Sequence, residues 1–311
     1  MTSNEHTCVV LMTYGSPATL DDVPGYLRNV RGGREPDGAL ISEFRRRYRL
    51  IGGSPLLRIT SEQAERLQLE LNGLEDGSSY NVVSGMRFSP PFIADVVKQA
   101  APEQGCVVGI VMSPQFSPII MGGYVRSLQE AVASLHRDGL GLRIAEDWHL
   151  QPFFLEALAE RVREALARFP PDVREEVPVL FTAHSMPKRV VEKEPDYIEQ
   201  LKGTAAAVAE LVGLKEGRWL FCYQSAGHTP EEWLKPDFAD AMPELRKAGY
   251  NHVLIAPVQF LADHLEVLYD IEIGARQQAE LAGVVFARIE SLNTSPLLIK
   301  ALAAVVRQTL V

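Results

Sequence analysis

The sequence predicts an α/β protein with two halves, each a doubly wound sheet of four parallel strands covered by helices. Short apolar runs rich in β-branched residues alternate with longer segments in which apolar residues recur every three or four positions. This alternation is typical of parallel strands joined by crossover helices. The 311 residues are enough for two such halves, and a break near residues 150–153 separates four apolar runs from four more.

Each of the eight predicted strands ends beside small, polar or turn-forming residues. In the first half we predict strands over Cys8–Tyr14, Asn81–Arg87, Cys106–Ser113 and Arg143–Trp148. In the second half we predict Val177–His184, Trp219–Gln224, His252–Val258 and Val284–Ile289. We therefore expect an N-terminal domain over residues 1–150 and a C-terminal domain over 151–311, with a terminal amphipathic helix able to pack on either. Open parallel sheets bind ligands outside the carboxyl ends of their strands, so functional residues should lie there.

Composition and charge narrow the class of protein. Apolar residues make up 46% of the chain and charged residues 23%, which is typical of a globular protein. The net charge of −9 argues against a nucleic-acid partner. No segment resembles a signal peptide or a membrane span, and the widely spaced Cys8, Cys106 and Cys222 suit free thiols in a reducing compartment. We expect a cytoplasmic protein without stable membrane insertion.

Common cofactor motifs are missing from the sequence. The first strand is followed by MTYGSP rather than GxGxxG, and the chain contains no P-loop, CxxC or HExxH. A nucleotide site, a structural zinc site and a metalloprotease are therefore disfavoured.

Two acid–base residues stand at predicted element ends. His184 ends the strand in VPVLFTAHSMP, where it could contact a bound ligand or merely cap the next turn. Glu266 lies three residues after Asp263, the spacing of a capping box, so it could simply begin a helix. On such a helix His264 and Glu266 would diverge too far to chelate one ion. Local pattern alone leaves both functions open.

Arginines concentrate around the segment SEFRRRYRLIGGSPL. An arginine run is often a solvated helix face, but clustered arginines beside a glycine-rich loop also suit carboxylates or phosphates, which they bind bidentately. The cluster comprises Arg31, Arg34, Arg45, Arg46, Arg47, Arg49 and Arg87.

Six motifs occur in one order across nearly the whole chain. They are LMTYGSP, YRLIGGSPL, SPQFS, FTAHSMP, YQSAGHTPEEWLKP and FLADHLEVLYD. Together they resemble the ferrochelatase family. The resemblance implies two Rossmann-like halves with a cleft between them that holds a porphyrin. It also implies an enzyme that inserts Fe²⁺ into this porphyrin. It also implies that His184 and Glu266 are catalytic and contact the metal.

The resemblance further implies a substrate and its contacts. Family members that carry tyrosine at the position of Tyr14 act on coproporphyrin III, whereas protoporphyrin enzymes usually carry another residue. Tyr14 would then ligate the iron of the product. The implied candidates for contacts to the propionates and the ring are Tyr14, Arg31, Arg45, Arg47, Ser54, Arg87, Tyr124 and Trp233, with Phe88 and Phe116 as further apolar walls.

This chain also departs from some relatives. Gly274 stands where the last acid of an outer metal site would be, which puts a site at Asp270 and Arg47 in doubt. No cysteine follows Cys222, so we expect no iron–sulfur cluster and no prosthetic group, with Fe²⁺ purely as substrate. The stretch VPGYLRNVRGGREPDG is polar where membrane-associated members have a hydrophobic lip.

Several alternatives stay open at this stage. The same fold could serve a non-catalytic tetrapyrrole or haem carrier, a protoporphyrin IX ferrochelatase, or a chelatase that acts on a sirohydrochlorin-type ring with cobalt or nickel. Other proteins of the haem pathway could be transient partners.

Overall fold

Two four-stranded sheets, parallel throughout, form the framework of the computed structural model, which describes residues 6–73, 77–103, 105–226 and 231–311. The first sheet contains β1 (His6–Thr13), β2 (Ser79–Met86), β3 (Gly105–Val111) and β4 (Leu140–Ile144) in the order β2-β1-β3-β4. The second contains β5 (Val179–His184), β6 (Trp219–Gln224), β7 (His252–Pro257) and β8 (Val285–Arg288) in the order β6-β5-β7-β8. The predicted fold class is confirmed.

Helices connect the strands in both sheets. The first set is α1 (Val23–Val30), α2 (Gly38–Leu50), α3 (Leu56–Asn72), α4 (Ile93–Ala100) and α5 (Pro118–Ala133). The second set is α6 (Pro152–Ala167), α7 (Lys188–Val191), α8 (Pro195–Val212), α9 (Phe238–Lys247) and α10 (Arg276–Ala282), and a further helix, α11 (Pro296–Leu310), follows the last strand. Short 3₁₀ turns cover Leu20–Asp22 and Arg174–Glu176, and a π-helix covers Glu266–Ala275. Within the described ranges, none of the helices combines the length and the apolar composition that a membrane span requires.

The chain divides into two compact units. One comprises Met1–Trp148, Ala262–His264 and Asn293–Val311, and the other comprises His149–Leu261 and Leu265–Leu292. In the first unit the terminal helix α11 packs on α3, and Arg143 donates a hydrogen bond to the Thr309 carbonyl at 3.1 Å. Each unit has its own apolar core, built from strand residues and the helices beside them.

The position of β4 differs from the sequence prediction. We expected Arg143–Trp148, but the strand runs over Leu140–Ile144 and pairs with residues 105–109 of β3. It begins directly after Gly139, whose φ of +84° turns the chain. As an edge strand it alternates half-buried with exposed residues and contains Gly141, so its apolar signal is weak.

The helix that carries Glu266 also begins differently from the prediction. Its N-cap is Leu265, which provides no side-chain cap hydrogen bond. Asp263, the predicted cap, instead exchanges hydrogen bonds with Asn293: its backbone N–H donates to Oδ1 and its carboxylate accepts from Nδ2, both at 2.9 Å. The capping-box prediction was wrong because a residue 30 positions away competes for Asp263. Ten residues of π-helix are unusual, since most such turns are short and many lie at functional sites.

Candidate active site

His184 and Glu266 face each other at the carboxyl edge of the second sheet. His184 is the last residue of β5, and β7, the neighbouring strand, leads toward the π-helix that begins with Glu266. Nε2 of His184 lies 4.0 Å from Oε2 of Glu266, with about a third of each side chain exposed (33% and 37%). Adjacent parallel strands thus bring together two residues that are 82 positions apart in the sequence.

The hydrogen bond at Nδ1 defines the neutral form of His184. Nδ1 lies 2.5 Å from the carbonyl oxygen of Ser185. A carbonyl oxygen can only accept, so Nδ1 carries the proton when the ring is neutral, and Nε2 carries the lone pair. The nitrogen nearest Glu266 is therefore able to accept a proton or to bind a metal ion.

A second contact holds the backbone of His184. Its N–H donates to Oε1 of Gln259 at 3.1 Å, and Nε2 of Gln259 donates to the hydroxyl of Tyr197 at 2.6 Å. Tyr197 is fully buried, and burial raises the pKa of its phenol, which stays protonated. Sequence analysis did not identify Gln259 or Tyr197, because their partners lie 75 and 62 residues away and no local motif marks them.

Ser185 is itself fixed on two further sides. Its N–H donates to the Gln224 carbonyl at 2.7 Å, and its Oγ donates to the Leu234 carbonyl at 3.0 Å. The carbonyl that orients His184 is therefore anchored to β6 and to the segment around Leu234. That segment carries Trp233, which is half-buried and forms a β-bridge with Pro187. Residues 227–230 of the YQSAGHTPEEWLKP motif lie outside the described residues.

Glu272, further along the π-helix, is occupied by two arginines. Partial burial acts to raise the pKa of Glu272, but hydrogen bonds from Arg276 and Arg288 lower it below its usual range. Glu272 is thus already neutralised by two guanidinium groups, and Gly274 offers no ligand. In the described part of the chain, no three His, Cys, Asp or Glu side chains are grouped as metal ligands.

At the end of β1, in the other unit, the surroundings are aromatic. The Tyr14 ring is 43% exposed and packs 4.5 Å from the Phe88 ring and 6.3 Å from the Tyr26 ring, measured between centroids. The backbone beyond β2 continues alongside, since the N–H of Phe88 donates to the Tyr14 carbonyl at 3.1 Å. This pairing holds Tyr14 in place while leaving much of its ring accessible.

Arg87 lies in the same aromatic group. Its guanidinium carbon is 4.7 Å from the centroid of the Phe88 ring and 5.2 Å from that of the Tyr124 ring. Arginine stacks favourably on aromatic faces, which here keep the cation half-buried. No described acidic residue forms an ion pair with it.

The other predicted substrate-contact residues of this unit differ in whether their side chains already have partners within the protein. Arg45 donates from Nε to the Leu20 carbonyl at 3.0 Å, and Arg47 donates to Glu43 at 2.8 Å. Hydrogen bonds from Arg46 and Arg47 lower the pKa of Glu43 to about 2. Arg31 is exposed, and its guanidinium has no partner among the described residues. Ser54 is half-buried, and its Oγ accepts a long 3.4 Å hydrogen bond from the Leu56 N–H.

Comparison with known proteins finds relatives that match nearly the whole of this chain. Residues 6–310 match the family model described as Ferrochelatase. The chain is 40% identical over 302 residues to a ferrochelatase of Herpetosiphon aurantiacus, covering 96% of this chain and 98% of that protein. Proteins named coproporphyrin III ferrochelatase are 38% identical in Geobacillus kaustophilus (96% and 94% covered) and 35% identical in Bacillus subtilis (97% of both).

Solved structures share the fold at much lower identity. SirB from Bacillus subtilis with Fe³⁺ aligns with a TM-score of 0.61 at 13% identity, covering 98% of this chain and 95% of that one. CbiX, described as the terminal enzyme for biosynthesis of siroheme in denitrifying bacteria, aligns with a TM-score of 0.55 at 13% identity, covering 99% and 100%. At this identity the likeness concerns the fold.

Proposed function

Because the chain belongs to the ferrochelatase family, we propose that it inserts Fe²⁺ into coproporphyrin III to give coproheme. Metal insertion into a porphyrin is the activity of its family. The observation that carries the choice of porphyrin is Arg87, a half-buried cation that no described carboxylate neutralises and that shares Phe88 with Tyr14. Such a cation favours a substrate that is rich in carboxylates.

We assign the chemistry to His184 and Glu266. Insertion exchanges two pyrrole N–H protons for one Fe²⁺, so a base must stand ready as the metal enters. Nε2 of His184 carries the lone pair and accepts a pyrrole proton, while the Nδ1–H bond to Ser185 persists. The imidazolium then faces the Glu266 carboxylate across 4.0 Å, an arrangement that stabilises the new positive charge. Glu266 accepts the second pyrrole proton, and before doing so its carboxylate can contact the entering iron.

Substrate choice follows from the number of carboxylates. Coproporphyrin III has four propionates where protoporphyrin IX has two propionates and two vinyl groups. A hydrogen bond to a charged group contributes about 1.5–3 kcal/mol, and about 1.4 kcal/mol retained is a tenfold preference. A vinyl group would also leave a partly desolvated guanidinium without a partner, which increases discrimination. Arg31 and Arg87 lead these contacts, since Arg45 and Arg47 already have protein partners.

Tyr14 has a separate role in the proposal. Its exposed phenol can ligate the iron of the product, for which an oxygen donor is required and a phenyl ring is insufficient. Tyr124, Trp233 and Ser54 remain proposed contacts to the ring or its propionates.

The decisive measurement is kcat/KM for the two porphyrins with Fe²⁺. We expect the wild type to favour coproporphyrin III by at least about tenfold. Arg87→Ala and Arg31→Ala should reduce that preference, whereas Arg163→Ala, which removes a surface partner of Glu156 in the other unit, should not. Equal kcat/KM values, or a preference for protoporphyrin IX, would refute the substrate assignment.

We also propose that the enzyme carries no prosthetic group or iron–sulfur cluster and works in the cytoplasm, with transient contacts to proteins that supply porphyrin or accept coproheme. Cys8 and Cys222 are fully buried, and burial raises the pKa of both thiols, that of Cys8 to about 12. Buried, protonated thiols are poor cluster ligands. Stoichiometric acid-labile sulfide in the purified protein, or its recovery with membranes, would contradict this proposal.

A further inference from the structure

We propose that Gly123 positions the Arg87 guanidinium for substrate binding by leaving the space in which that group lies. The inference rests on the proposed function, in which Arg87 binds a substrate carboxylate. It concerns a residue of α5 that needs no contact with substrate, because it acts by positioning another side chain.

The geometry around Gly123 is restrictive. A Cβ atom added at Gly123 would overlap Cζ and Nη2 of Arg87 and would lie 2.5 Å from Nη1. These atoms are the far end of a flexible side chain, so an alanine there would displace the guanidinium and leave the backbone in place. The fold should tolerate the substitution, but the position of the cation should change.

The neighbours of Arg87 make that position specific. The guanidinium lies over the rings of Phe88 and Tyr124, and Tyr124 directly follows Gly123 on α5. The two rings and the missing side chain together define one place for the charge. Glycine is also unfavourable within a helix, so its presence here calls for a reason other than helix stability.

The adjacent glycine provides a matched control. Gly122 precedes Gly123 on the same helix, and a Cβ there would meet Nη1 of Arg126 at 3.3 Å and nothing else within 4 Å. Gly122→Ala and Gly123→Ala make the same chemical change and favour the helix to a similar degree. They differ in whether Arg87 is displaced.

The test measures affinity for coproporphyrin III by fluorescence titration, together with kcat and KM, in the full-length enzyme. Gly123→Ala should weaken binding and raise KM roughly tenfold, the loss expected for one charge-assisted hydrogen bond, with kcat within about twofold of wild type. Gly122→Ala should match the wild type. Arg87→Ala sets the size of the effect, and Gly123→Ala in the Arg87→Ala background should add nothing, since no guanidinium remains to displace.

The outcomes separate this inference from the proposed function. Wild-type affinity in Gly123→Ala, with a clear loss in Arg87→Ala, would overturn the role of Gly123 and leave the substrate contact intact. Wild-type affinity in Arg87→Ala would overturn both. A further loss in the double variant would show that Gly123→Ala acts on the helix and would also overturn the inference. If Gly123→Ala alone folds poorly, the double variant, which has room for the Cβ, should fold normally.

Discussion

In each sheet, the strand that comes first in the chain lies where the strand order reverses. β1 of one unit and β5 of the other therefore occupy the same place in their sheets. β1 leads to Tyr14, which packs on Phe88 and Tyr26. β5 ends in His184, whose ring and backbone are held by hydrogen bonds to Ser185 and Gln259. One topology therefore presents an aromatic and cationic surface in one unit and an acid–base pair in the other.

The two strand ends differ in what fixes them. Tyr14 is positioned by ring packing and by one strand extension, contacts that tolerate small shifts. His184 is positioned by directional bonds that also decide which nitrogen carries a proton. We therefore expect substitutions near β5 to affect the chemical step and substitutions near β1 to affect affinity and the state of the product.

The largest effect should come from His184→Ala. Removing the base should lower kcat by at least about 100-fold, the usual range for general-base catalysis, while porphyrin affinity stays within about threefold. His6→Ala, at an exposed strand start, should retain wild-type turnover and serves as the control. Near-normal kcat in folded His184→Ala would remove this residue from the mechanism and erase the contrast between the strand ends.

A smaller effect on the same end should follow from Gln259→Leu. The substitution removes the acceptor of the His184 N–H and the donor to the buried Tyr197 hydroxyl, so we expect about 1–3 kcal/mol less free energy of unfolding. The imidazole is then held less firmly, so we expect kcat to fall roughly tenfold with KM unchanged. A tenfold fall corresponds to about 1.4 kcal/mol of lost orientation energy.

Gln259→Glu separates positioning from general stability. A glutamate can accept hydrogen bonds from both the His184 N–H and the Tyr197 hydroxyl, so kcat should recover most of its wild-type value. Equal losses of kcat in the Leu and Glu variants would contradict a positioning role.

At the β1 end, Tyr14→Phe should change the product more than the rate. Without an oxygen ligand, the absorption spectrum of bound coproheme should shift, while affinity for free coproporphyrin III stays within about twofold because the ring packing is preserved. Tyr26→Phe is the matched control. An unchanged coproheme spectrum in Tyr14→Phe would rule out ligation.

The smallest effect should come from Glu43→Gln. The pKa of Glu43 is lowered to about 2 in the folded protein, against about 4.3 when unfolded, so its ion pairs stabilise the fold above about pH 4.3 and less as pH falls toward 2. Because these side chains are partly exposed to solvent, the contribution should be about 0.5 kcal/mol or less. Urea unfolding should show that the free energy of unfolding decreases slightly less between pH 6 and pH 3 for the variant than for the wild type.

Glu43→Gln also tests how substrate contacts are shared in the first unit. The substitution removes the charge of Glu43, but the glutamine oxygen can still accept the 2.8 Å hydrogen bond from Arg47, so coproporphyrin affinity should change by less than about twofold. A gain close to the loss measured for Arg87→Ala would mean that Arg47 is an equal contact.

Much of the fold followed from local pattern. Seven of the eight predicted strands overlap the observed ones closely, because buried parallel strands are continuous apolar runs. The exceptions have physical causes outside the local sequence. β4 is a glycine-containing edge strand with a weak apolar signal, and Asp263 bonds to Asn293 rather than capping the helix at Glu266.

The sequence by itself determined the two parallel sheets, the family and the delivery of His184 to a strand end, because periodicity and motif order are properties of residues close together in the chain. Only the tertiary structure decided the 4.0 Å approach of His184 to Glu266, the lone pair on Nε2, the contact of Gln259 with Tyr197, and which arginines lack an acidic partner among the described residues. Each of these depends on hydrogen bonds or ion pairs in which one partner competes with others for a group, and that competition is resolved only when the chain has folded.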